Sequence, residues 1–300
     1  MNLYLYASLL LCGVRSVAAS CAHGTYLYRR DSAGGEEVKV SDFGYGTFDG
    51  PINWHGISKE NELCATGTQQ SPINVDQTIQ VVKPGTVKTN IPVQEDVAFE
   101  NLGSTVEVIL NGKTVIGNQT FTLQQFHFHT PSEHRINNEH FPVEIHFVHE
   151  ATDDPEQLAV IAMIIQLQSN VTTAALDSVI SHVEEIKTPG NATTIFSLDM
   201  TTVVDAINRM PFYTYTGSLT TPPCAEGITF MIATQALPLQ VDMYNRLKAV
   251  VGFNSRHIQN KDGQPNILAV SARNMPRQKP DQSDRSGYRN RTGGRGRYRW

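Results

Sequence analysis

The chain has 300 residues, 40% of them hydrophobic and 18% charged, with a formal net charge of -5 at pH 7. That length suffices for one large β-rich domain or two small ones, and nothing along it argues for a division. No stretch is long and apolar enough to cross a bilayer comfortably, which argues against a membrane-spanning protein.

The first element is a leader. Leu3 to Val14 form a short apolar run, and Val17-Ala18-Ala19-Ser20 supplies the small residues a signal peptidase prefers. Residues 1–20 are therefore expected to be removed and the product secreted. The cysteines agree with an oxidising destination: Cys12 falls in the leader, leaving Cys21, Cys64 and Cys224, enough for one disulfide and one leftover thiol. Sequons at Asn118, Asn170, Asn191 and Asn290 are glycosylation candidates on the same route.

Residues 21–42 read as a polar N-terminal extension, with the core starting near Phe43. From Val75 to Val115 short β-branched runs alternate with Pro, Gly and Asn. One of them, Ser104 to Leu110, is followed by Asn111-Gly112, a dipeptide that predicts a hairpin turn.

Next come Gln125-Phe126-His127-Phe128-His129 and, after a loop containing Pro131, Asn137 and Asn138, Val143-Glu144-Ile145-His146-Phe147-Val148. Successive side chains of a strand point to opposite faces, so His127 and His129 share one face and Phe126 and Phe128 the other. In the second segment Glu144, His146 and Val148 share a face. Two such strands lying antiparallel bring three imidazoles together, and three neutral nitrogen ligands with an open fourth position are the catalytic pattern for zinc.

Leu158 to Leu167 is an apolar run of the buried-strand type, although periodicity alone does not separate it from a buried helix. Ala174 to Ile186 and Val241 to Val250 read as helices. After about Pro276 the composition changes, and residues 279–300 form a basic Arg/Gly-rich tail with almost nothing to bury. The tail is expected to be disordered. It suits weak polyanion contact rather than a specific nucleic-acid partner.

Several motifs occur together, in order: Gly50-Pro51-x-x-Trp54, Gln70-Ser71-Pro72-Ile73-Asn74, Pro131-Ser132-Glu133-His134, and Tyr215-Thr216-Gly217-Ser218-Leu219-Thr220-Thr221-Pro222-Pro223-Cys224. With the two histidine segments they make Phe43 to Gln278 resemble an α-class carbonic anhydrase, most of all the secreted fungal members. The resemblance implies a mainly β single domain with short helices, residues 43–278, around a central, mostly antiparallel twisted sheet of about ten strands. It implies Zn2+ held by His127, His129 and His146, whose bound water becomes a hydroxide that converts carbon dioxide reversibly to bicarbonate and a proton.

The same resemblance assigns the neighbours. Gln125 and Glu144 match the outer acceptors that orient the metal-bound rings, and Thr220 with Glu133 matches the pair that orients the hydroxide. Val148, Val160, Leu219, Thr221, Ile228 and Phe230 match the substrate pocket, and Cys64 and Cys224 the disulfide of secreted relatives. Three departures stand out. Ser104 occupies the position of a proton-shuttling His in fast members, and Phe230 stands where many carry Trp. Arg273 to Gln278 matches its family segment only loosely. The alternatives are a catalytically weak binding module of the same fold and zinc-dependent ester cleavage as a side activity. Oligomeric state is left open.

Overall fold

The computed structural model describes residues 38–274 and the backbone of two short paired strands, Ser20–Cys21 and Thr25–Tyr26. The expected leader (bar Ser20's backbone), the side chain of Cys21, Asn290 and the basic tail lie outside the described residues. Within them the main sheet has eleven strands: β1 Gln80–Val82, β2 Val87–Asn90, β3 Gln94–Asn101, β4 Val106–Ile116, β5 Gln119–His129, β6 Val143–Ala151, β7 Leu158–Gln168, β8 Ala192–Leu198, β9 Phe212–Ser218, β10 Glu226–Ala233 and β11 Leu237–Gln240. Their order is β8-β3-β4-β5-β6-β7-β10-β9-β1, with β2 also beside β4 and β11 also beside β7. Pairing is antiparallel except that β7 runs parallel to both β10 and β11.

The alternation of β5 and β6 decides which side of this sheet does what. Phe126, Phe128, Ile145 and Phe147 point to one face and join Val108, Ile161 and Met163 in the larger core. Helices α3 (Ala174–Ile180), α4 (Thr201–Arg209) and α5 (Val241–Val251) close that core with Leu176, Val179, Val203, Ile207, Met243 and Leu247. Each fully buried side chain of this size contributes roughly 1.5–3 kcal/mol by leaving water. The opposite face carries the histidines and a smaller apolar cluster. Two short helices, α1 (Trp54–Ile57) and α2 (Leu63–Thr66), and a last one, α6 (Ile267–Asn274), lie outside the sheet.

The buried run at Leu158 is a strand, β7, and the helix at Val241 is α5. The expected helix from Ala174 to Ile186 is α3 followed by a separate 3-10 turn at Val183–Ile186. One expectation is overturned. Asn111-Gly112 makes no hairpin turn, because β4 runs through it with a register shift between Ile109 and Gly112. A Cβ at Gly112 would lie 2.9 Å from Ile91 Cγ1 and 3.1 Å from the Asn90 carbonyl, so this glycine serves close packing. The reversal falls at Gly117-Asn118, where Gly117 takes a positive φ of 61°.

Packing onto the body begins before Phe43. Val38 is buried, the Ser41 N–H donates to the Leu102 carbonyl at 2.9 Å, and Val40 presses on Gly103, where a Cβ would meet its Cγ1 at 2.9 Å.

A buried polar chain also lies away from the histidine cluster. His149 donates from Nδ1 to the Phe147 carbonyl at 2.9 Å, its Nε2 accepts from the Thr114 hydroxyl at 2.9 Å, and Thr114 pairs with Thr89 at 2.8 Å. Burial lowers the His149 pKa from 6.5 to about 4, so the fold holds it neutral. The unfolded chain takes up a proton that the folded chain refuses between those values. Stability contributed by neutral His149 is therefore complete above pH 6.5 and is lost as pH falls toward 4, on the order of 3 kcal/mol in all. Denaturant titrations from pH 7 to pH 4 should show a shallower stability decline for His149→Gln than for the wild type. Equal slopes would exclude this role.

Candidate active site

Strands β5 and β6 pair so that His127 sits directly across from His146, and Glu144 across from His129. All three imidazoles are buried, with ring centroids 4.6 to 5.4 Å apart. Each offers one ring nitrogen to a common point, these atoms lying within 4.8 Å of one another. The other nitrogen of each ring has a partner. His127 Nδ1 meets Gln125 Oε1 at 2.8 Å, His129 Nδ1 meets the Asn254 carbonyl at 2.9 Å, and His146 Nε2 meets Glu144 Oε1 at 2.7 Å. A neutral imidazole that donates from one nitrogen presents a lone pair at the other. Burial lowers the His129 pKa to about 4 and lowers that of His146, so both rings stay neutral near pH 7. Three convergent ring nitrogens with their outer acceptors in place are a donor set that fits zinc.

Two carboxylates flank the rings. Glu144 is fully buried; burial works against its charge, but His134 and His146 together hold it well below the usual carboxylate range. Glu133, on the segment after β5, accepts the Arg256 N–H at 2.9 Å on Oε1, while Oε2 lies 3.5 Å from His129 Nε2 and 4.0 Å from His146 Nδ1. Burial pushes Glu133 up to about 7, against His146, the Arg256 N–H and the Thr220 hydroxyl, which favour its charge.

The apolar residues assigned to the pocket come together. Val148, Val160, Leu219, Ile228 and Phe230 belong to one buried cluster beside the histidines, and Thr220 and Thr221 are buried next to Leu219. Phe230 stacks on Tyr215 with centroids 5.1 Å apart and meets His134 and His146 edge-on at 5.2 and 5.9 Å. Ser104 is buried, its hydroxyl 2.7 Å from that of Ser41 and its carbonyl accepting from Asn254 Nδ2 at 3.1 Å.

Sequence reasoning missed Asn254 and Arg256. The Asn254 contact to His129 is a backbone carbonyl, which no side-chain pattern reveals. Its side chain meanwhile accepts the Thr130 N–H at 2.7 Å and donates to the Phe128 carbonyl at 2.8 Å. Arg256 is buried and charged, its pKa lowered by burial only to about 10. It donates to the Ser71 carbonyl at 2.7 Å, Gln70 Oε1 at 2.9 Å and the Cys64 carbonyl at 3.3 Å, with its guanidinium 5.7 Å from the Trp54 ring. Cys64 and Cys224 are disulfide-bonded, tying α2 to the Thr220 loop, and the Cys224 carbonyl accepts from Gln70 Nε2 at 3.0 Å.

A family model described as eukaryotic-type carbonic anhydrase matches residues 49–273. The chain belongs to the eukaryotic-type carbonic anhydrase family. A carbonic anhydrase from Neisseria gonorrhoeae is 37% identical over 194 residues, covering 63% of this chain and 73% of the relative. One from Pectobacterium atrosepticum is 33% identical over 233 residues, 74% of this chain and 88% of the relative. Among solved structures, a fungal α carbonic anhydrase from Aspergillus oryzae superposes with a TM-score of 0.74 at 41% identity, covering 78% of this chain and 99% of that one. The chain is thus an enzyme of the carbonic anhydrase family, and the fold implied by its motifs is the fold it has.

The disulfide spans a sequence separation of 160 residues. On the chain-entropy account, closing a loop of that size stabilises by about 5 kcal/mol or less. The Cys64→Ser/Cys224→Ser protein should unfold at correspondingly lower denaturant. Unchanged unfolding, with both cysteines recovered as free thiols from the wild type by nonreducing peptide mapping, would remove the bridge.

Proposed function

We propose that the chain catalyses the reversible hydration of carbon dioxide to bicarbonate and a proton, using zinc held by His127, His129 and His146. The observation that carries this reading is the convergence of three buried imidazoles, each fixed from behind by Gln125, the Asn254 carbonyl or Glu144. Zinc held by neutral ligands supplies a water acidic enough to become a nucleophile near neutral pH, an effect for which this family is the standard illustration.

The remaining work falls to the chain. Thr220 donates its hydroxyl proton to Glu133, which leaves the Thr220 oxygen to accept from the attacking group and aim its lone pair. Glu133 suits that task because the Arg256 N–H fixes one of its oxygens. Carbon dioxide offers little to hydrogen-bond, so the wall of Val148, Val160, Leu219, Ile228 and Phe230, with Thr221 beside it, holds it by contact and excludes water. Phe230 keeps that wall aromatic where many members carry Trp.

A secreted protein with glycans fits the Cys64–Cys224 disulfide and the exposure of Asn118, Asn170 and Asn191. No helix among the described residues is long and apolar enough to cross a membrane. Outside them, the basic tail suits weak polyanion contact.

Measuring bicarbonate formation and ester cleavage before and after chelation separates an anhydrase from a binding module and from an esterase. His146→Ala should lose both zinc and activity. Thr220→Ala should keep zinc and lose about a hundredfold or more in turnover, the usual effect of removing one preorganised partner. Full activity in zinc-loaded Thr220→Ala would reject the orienting role.

Proton export should depend on the buffer. A shuttle changes charge near neutral pH, which neither Ser104 nor Ser41 can do. His257 titrates in principle near neutrality, but burial lowers its pKa to about 4. Turnover should therefore rise with imidazole-type buffer concentration, and a rate independent of buffer would point to an internal shuttle. The Ser41 contact also means that Ser104→His has to displace the N-terminal segment before it can help.

A further inference from the structure

A single line of side chains leaves the histidine cluster and ends in the Gln70-Ser71-Pro72 segment. Glu144 Oε1, already 2.7 Å from His146 Nε2, lies 2.6 Å from His134 Nδ1, and Glu144 Oε2 accepts the His134 N–H at 2.8 Å. His134 Nε2 lies 2.7 Å from the Tyr215 hydroxyl, and that hydroxyl 2.7 Å from Ser71 Oγ. Ser71 and Ser218 close the line with reciprocal bonds, each backbone N–H donating to the other's hydroxyl at 2.9 and 3.0 Å.

We propose that Tyr215 is a positioning residue for the metal site, its phenol donating to His134 and so holding Glu144 and the ring of His146 in place. The inference rests on the zinc reading above and adds a residue to it. A His146 ring that presents Nδ1 to the cluster carries its proton on Nε2 and donates it to Glu144. A carboxylate oxygen 2.6 Å from His134 Nδ1 requires that this nitrogen donate as well. With the ring proton of His134 on Nδ1, its Nε2 is left to take the Tyr215 proton, and the phenol oxygen to accept from Ser71. Every bond in the line then points one way, and Tyr215 supplies the proton that His134 Nε2 accepts, which supports the tautomer that donates to Glu144. The phenol ring lies stacked on Phe230.

Without that proton a bare nitrogen stays buried, the reversed tautomer becomes available, and Glu144 loses the fixed neighbour that aims it at His146. Outer partners of metal ligands typically change affinity 10–100-fold, so one step further out about tenfold is expected.

The test loads wild type, Tyr215→Phe and Ser71→Ala with zinc and follows zinc release to excess chelator, with the absorption of the cobalt-substituted proteins as a second readout. Tyr215→Phe should release zinc about tenfold faster and shift the cobalt bands. Ser71→Ala removes a partner of the phenol but leaves its proton on His134, so its release should stay near the wild-type rate. Loss of thermal stability in Tyr215→Phe with unchanged zinc release and cobalt spectrum would mean that the tyrosine only packs. Equal acceleration in both variants would overturn the donor role. A wild type that takes up no zinc would refute the reading beneath this inference and the inference with it, whereas equal release from zinc-loaded wild type and Tyr215→Phe refutes the inference alone.

Discussion

Charge is expensive to bury, and this protein buries the ionisable groups Glu133, Glu144 and Arg256 close together. Each, when charged, costs several kcal/mol unless its surroundings replace the water it has lost. Glu144 is compensated by two bonds from His134 and one from His146, and Glu133 by the Arg256 N–H. The Arg256 guanidinium is compensated by acceptors on Ser71, Gln70 and Cys64. These compensating groups come from far apart in the chain, so the charges pull together α2, the Gln70-Ser71 segment, the segment after β5, β6 and the loop after α5. The disulfide stands inside this arrangement, since both of its cysteines also lend backbone carbonyls to it.

The sheet separates packing from chemistry by parity alone. Along β5 and β6, odd and even residues face opposite ways, and the aromatic-aliphatic set fixes the register for the histidine set. A slip of one residue would put Phe126, Phe128 and Phe147 in the site and the imidazoles in the core. The energy of the large core thus stands guard over the geometry of the small polar cluster.

That parity is why so much was legible in the sequence. The His-x-His spacing, the turn residues between Thr130 and Phe141, and the shared face of Glu144 and His146 all express local strand geometry, and the structure places them accordingly. The hidden parts are those in which distance along the chain decides. The Asn254 carbonyl is invisible as a side chain, and Arg256 is one arginine among many until Glu133 and Ser71 surround it. Asn111-Gly112 misled for a related reason: its glycine answers the approach of Ile91 from a neighbouring strand, a tertiary demand that imitates a turn signal. The burial of Ser104 under Ser41 was hidden as well, because residues of an apparently featureless extension supply the cover.

The two parallel neighbours of β7 bear on the order in which the molecule is assembled. Strands β4 to β7 form a meander in which each pairs with the next, so the loops that must close are short. Both β10 and β11 arrive only after α3, β8, α4 and β9 have been made. Closing longer loops costs more entropy, and a growing chain presents its N-terminal parts first. The three imidazoles therefore belong to a unit that is complete early, whereas the wall holding Leu219, Ile228 and Phe230 is added late. Until then the apolar edge of β7 from Ala159 to Ile165 has no partner on that side, and an unpaired apolar edge of this kind is open to pairing with another chain.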